Sequence, residues 1–83
     1  MIVCRSHDVL SRRVGAVWLV TTPDDPEVHE LAGGAAVVWE LLAERSPVDA
    51  LVGSLVEMGA PRDEVHMCLE SLRSIGALSE VPA

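Results

Sequence analysis

The two periodicities that specify secondary structure are segregated along this chain. β-Branched residues and polar–apolar alternation fill the first third, and apolar residues at helical spacing fill the remainder. That division restricts the fold to a small sheet followed by packed helices, an α+β arrangement. With 83 residues there is room for one modest core, so residues 1–83 read as a single domain.

The elements follow from local chemistry. Ile2-Val3-Cys4 reads as a short first strand, and Val14 to Thr22 as the strongest strand. Thr22-Pro23-Asp24-Asp25-Pro26 reads as a turn, because proline presets φ and aspartate bonds its own backbone. Glu27-Val28-His29-Glu30-Leu31 alternates as a strand returning antiparallel, with Val28 and Glu30 on one face and His29 and Leu31 on the other. After Gly33-Gly34 a first helix is expected over Ala35–Glu44, nearly all of its surface buried. A second opens with Ser46 as N-cap, Pro47 in the first turn and Asp49 closing a capping box. Its inward stripe is Val48, Leu51, Val52, Leu55 and Met58, and Gly59 ends it. Pro61 begins a third, with Asp63 and Glu64 near its positive end and a stripe of Val65, Cys68, Leu69, Leu72 and Ile75. Gly76 stops it, and Ala77-Leu78 tucks back before a frayed tail. The expected fold is thus a winged-helix-like three-stranded antiparallel sheet followed by three helices.

Charge narrows the partners. Thirteen acidic residues against six basic ones give a net charge of −7, and all six basic residues are arginine. Nucleic-acid binding draws its affinity from basic residues on phosphates, and a membrane surface asks for a basic amphipathic stretch; neither is present. The opening Met1-Ile2-Val3-Cys4-Arg5 does not read as a signal peptide, and no apolar run nears membrane-spanning length. Cys4 and Cys68 lack metal-ligand spacing, so reduced thiols in a cytoplasmic protein are expected.

No catalytic or metal constellation emerges, and no cofactor is expected. His7, His29 and His66 are scattered, with no HExxH. His29 reads as a solvated strand histidine, and Asp24-Asp25 as turn residues. Ser54 and Ser71 lack a nucleophile elbow. Gly33-Gly34 has no lysine to complete a phosphate loop. Cys68 and Trp39 lie on apolar helix faces and read as core. What remains is the sheet itself, whose unpaired edge is a template for an added strand.

The stretch His29-Glu30-Leu31-Ala32-Gly33-Gly34-Ala35-Ala36-Val37-Val38-Trp39-Glu40-Leu41-Leu42 resembles the strand-to-helix junction of PqqD-like proteins. Ser46-Pro47-Val48-Asp49-Ala50-Leu51-Val52 is similar to that family's second-helix start. Val65 to Leu78, closing on Leu72-Arg73-Ser74-Ile75-Gly76-Ala77-Leu78, is similar to its last helix. Pro23-Asp24-Asp25-Pro26-Glu27-Val28 replaces the family's usual Gly-Arg-Tyr-Tyr hairpin, and Ala32-Gly33 replaces its Asn-Pro. The resemblance implies a non-catalytic recognition element for the leader of a ribosomally made precursor peptide. The leader adds as a strand beside the last strand of the sheet, against the third helix, and is presented to a modifying enzyme or leader protease.

On that reading Glu27, Val28, His29, Glu30 and Leu31 accept the peptide. Arg62, His66, Leu69 and Arg73, which share one flank of the third helix at about 100° per residue, border its groove and meet acidic leader residues. The opposite flank carries Glu64, Cys68 and Ser71. The same edge is open to homodimerisation. The alternative is a winged-helix DNA-binding regulator, which shares the helical order but lacks a basic recognition helix here.

Overall fold

Gly15 sets the sheet. It sits at φ 63° between Val14 and Val17, which face each other, and the residue after it keeps a negative φ. That is the pattern of a type II′ two-residue hairpin turn. The computed structural model, which describes residues 1–23 and 25–81, therefore begins its main sheet with a hairpin inside the stretch expected to be one strand. β2 (Leu10–Val14) pairs with β3 (Val17–Thr22), and β3 pairs with β4 (Asp25–Leu31), all antiparallel. Of the expected turn, Asp24 lies outside the described residues, and Asp25-Pro26 already belongs to β4.

The first strand, β1 (Ile2–Arg5), does not join that sheet. It is the centre of a second one, between β5 (Ser46–Pro47) and β6 (Leu78–Val81), both antiparallel to it. Among the described residues the fold is thus two three-stranded antiparallel sheets and three helices, rather than one sheet and then three helices. The expected frayed tail is β6 as far as Val81. Four residue pairs, from Ile2↔Val81 to Arg5↔Leu78, fasten it to β1, and Ala77 and Leu78 are buried. Ser46 and Pro47 pair with Val3 and Ile2, so Ser46 is not the helix cap.

The helices are α1 (Gly34–Leu41), α2 (Val48–Glu57) and α3 (Arg62–Ser74). Pro47 and Pro61 occupy the N-cap positions of α2 and α3, without a side-chain cap bond. Their C-termini are as expected. After α2, Gly59 at φ 100° lets its N–H bond Val56 O at 3.0 Å, while the Ala60 N–H bonds Leu55 O at 3.0 Å. After α3, Gly76 and Ala77 bond Arg73 O and Leu72 O in the same way. Both ends are Schellman motifs, which satisfy orphan carbonyls and fold the next apolar residue back onto the helix.

The core runs between the layers: Val3, Val20, Val38, Trp39, Leu42, Leu51, Val52, Leu55, Val65, Leu69 and Leu72. Leu41 and Met58, expected inside, are exposed. Arg5 joins the two sheets. Its guanidinium lies over the rings of Trp39 (4.5 Å) and Trp18 (5.2 Å) and donates twice to the Trp39 carbonyl, at 2.7 and 3.1 Å. Trp18 Nε1 in turn donates to Glu40 at 3.3 Å. Thr22 Oγ1 donates to Ile75 O at 2.9 Å, anchoring β3 to the end of α3.

Candidate functional site

β4 is an edge strand: one side pairs with β3, and the other pairs with no strand among the described residues. Its ladder is regular only near its end, through Val20↔His29, Leu19↔Glu30 and Trp18↔Leu31. Before that the register shifts, since Thr22 faces Asp25 while Val20 faces His29. One β3 residue therefore opposes Pro26, Glu27 and Val28, a bulge that twists the strand. Pro26 has no N–H to offer, and the Glu27 N–H is bonded to Asp25 Oδ1 at 3.0 Å. Neither Pro26 nor Glu27 thus has a free donor for an incoming chain, which leaves Val28–Leu31 to supply them.

Asp25 holds the start of the strand. It accepts that backbone bond and contacts His29 Nε2 through Oδ2 at 2.9 Å. The Glu27 N–H and then the His29 ring hold its carboxyl below the usual carboxylate range. His29 is therefore half-buried and partnered, not a freely solvated histidine.

The end of β4 opens onto an apolar groove. A cavity of about 330 Å³ lies between Leu31, Ala35 of α1, and Glu64, Met67, Cys68, Ser71 and Leu72 of α3. A second, of about 510 Å³, continues between α1, α3 and the end of α2, reaching Met58. Ala35, Glu64 and Cys68 line both, so the two form one trough running from the sheet edge to the α2–α3 turn. Exposed methionines stand at its two ends: Met67 is 68% and Met58 64% exposed. Methionine's unbranched, polarisable side chain adapts to varied partners and is frequent on binding surfaces. Burial pushes the Cys68 thiol up, so it is a weak nucleophile in the wall of the trough.

The expected residues divide. Glu27, Val28 and Glu30 are exposed on β4, while His29 and Leu31 face the domain. On α3, Leu69 is 5% exposed and belongs to the core. Arg73 is bound to Glu70 at 2.6 Å and to Glu80 of β6. Arg62 and His66 are exposed, and neither lines the trough. The trough lies on the opposite flank, with Glu64, Cys68 and Ser71. The reason is β6, whose Glu80 claims the Arg73 side of the helix. Ala35, Met67 and Met58 were missed; the available signal was Met67, off the apolar stripe in the middle of α3, and Met58, at the end of α2.

An open strand edge leading into an apolar trough can hold an extended chain by main-chain hydrogen bonds while side-chain anchors fill the trough. Among the described residues there is no cluster of ligands able to hold a metal ion, and no helix is long and apolar enough to cross a membrane. No protein-family model, curated protein or solved structure matches the chain, so the functional reading rests on the geometry of this edge and trough.

Proposed function

We propose that this domain is a peptide-recognition element of the PqqD-like kind, with the winged-helix-like arrangement of that family. It binds the leader of a ribosomally made precursor as a strand added to β4 and presents it to a modifying enzyme or leader protease. The observation that carries the reading is the meeting of the unpaired β4 edge with the trough at Leu31. Main-chain bonds form within Val28–Leu31, and one or two apolar leader side chains settle against Ala35, Met67 and Cys68. The binding residues are then Val28 to Leu31 with Glu64, Met67, Cys68 and Ser71. A DNA-binding reading has less support, since Arg73 is bound to carboxylates and α3 offers no basic face.

Cys68 supplies a built-in reporter. Displayed random peptides of about twelve residues span β4 and the trough at about 3.3 Å per residue. Selection on the immobilised domain should yield binders of roughly 10 μM or tighter. The best of them should slow alkylation of Cys68 by about tenfold or more, with Cys4 on β1 unchanged as internal control. No enrichment over bare matrix, or a binder that leaves the Cys68 rate unaltered, contradicts the proposal. Short precursor peptides encoded beside the gene, run in the same assay, separate a leader reader from a general peptide binder.

A further inference from the structure

Resting on that reading, we infer that the trough selects a cationic peptide: a bulky aliphatic anchor with lysine or arginine nearby, Glu64 acting as the counter-charge. Among the described residues, Glu64 is the one charged residue lining the trough, and it lines both of its cavities. On the accepting strand, Glu27 and Glu30 are also exposed, Glu30 on the face turned away from the trough, where every second residue of an added strand would point. None of these three carboxylates takes part in an ion pair among the described residues. Three of the six arginines are engaged elsewhere: Arg5 on the tryptophans, Arg13 with Glu40 and Arg73 with Glu70 and Glu80. Arg12, Arg45 and Arg62 form no ion pair with these carboxylates among the described residues.

The positive end of α3 works against this preference, because Glu64 sits in the first turn. That end is equivalent to about half a positive charge. Asp63 and Glu64 in the same turn outweigh it, even with Arg62 beside them. The chain's net charge of −7 adds a field of the same sign. An acidic leader would meet repulsion along the whole approach, and its anchor would enter a trough without a basic partner. This reverses the charge expected when Arg62, His66 and Arg73 were read as the rim.

The test uses the pool selected on the wild-type domain. Lysine and arginine should exceed aspartate and glutamate by about threefold relative to the input library, close to a Leu, Ile, Val or Met. In fluorescence anisotropy at low salt, changing the basic residues of the best peptide to glutamine should weaken binding about tenfold. Glu64→Gln should weaken the parent peptide about threefold and leave the glutamine peptide within about twofold. About 0.5 M salt should erase most of the difference between the two peptides. Glu64 is exposed, so the variant should fold, as its circular dichroism and melting curve will show. A pool enriched in acidic residues, or equal affinity of the basic and glutamine peptides, overturns the charge preference and leaves peptide binding standing. Failure to enrich any pool overturns both.

Discussion

Trp39→Ala is expected to remove more than half of the domain's stability. The Trp39 side chain is fully buried in the core cluster, with Arg5 stacked on its ring. Truncating a buried tryptophan costs about 3–5 kcal/mol through lost transfer energy and the cavity left behind. A domain of this size has roughly 4–12 kcal/mol in total. Arg5 adds to the loss, because its cation–π contact is worth about 0.5–2 kcal/mol and would vanish with the ring. Trp39→Phe makes the sharper comparison. Trp39 Nε1 is buried with no acceptor among the described residues, and a buried unpaired donor costs about 1–3 kcal/mol. Phenylalanine removes that donor while leaving a smaller void, so the two effects oppose. Urea denaturation should find Trp39→Phe within about 1.5 kcal/mol of wild type and Trp39→Ala below half of its stability. Equal losses in the two variants would show that ring volume is not what the core requires at this position.

Ala35→Leu is expected to weaken peptide binding strongly and leave the fold intact. Ala35 is half-buried in the first turn of α1 and lines both cavities, so three added carbons project into the space assigned to the peptide's anchor. Leucine is a good helix former, and the trough gives it room without displacing a core residue. The melting temperature should stay within a few degrees, since the extra apolar contact offsets its lost rotamer freedom. Affinity for the best selected peptide should fall about thirtyfold or more, roughly 2 kcal/mol, as for loss of a central anchor. Alkylation of free Cys68 should slow as well, because the leucine covers the same wall. A variant that binds as tightly as wild type would remove the trough from the binding site.

The parts of the fold that were legible in the sequence are those set by local chemistry. Gly59 and Gly76 marked helix ends because a left-handed residue is needed there and glycine adopts it without strain. Val65, Leu69 and Leu72 fell on one stripe and are core. β4 was visible in the alternation from Glu27 to Leu31. The second sheet was hidden because all of its strands are short and its partners are far apart in sequence: Ile2–Arg5 finds its neighbours at Ser46–Pro47 and Leu78–Val81. A two-residue strand carries no periodicity to read. Missing it displaced the site, since β6 decides which flank of α3 is covered and holds Arg73 through Glu80. The hairpin at Gly15 was overlooked because Val14 and Val17 continue a β-rich run across it, although Gly-Ala between two valines is itself a turn signal.

Hydrogen exchange across β4 reaches the central claim most directly. Within Val28–Leu31 alternate amides point away from β3 and exchange freely in an unpaired edge. With the best selected peptide bound, those amides should slow by about tenfold or more, as an added strand takes them into a ladder. The outer edge of β2, Leu10–Val14, serves as control and should keep its rates. Protection appearing on β2 instead, or Cys68 shielded with no change in the β4 amides, would mean that the peptide docks without adding a strand to β4.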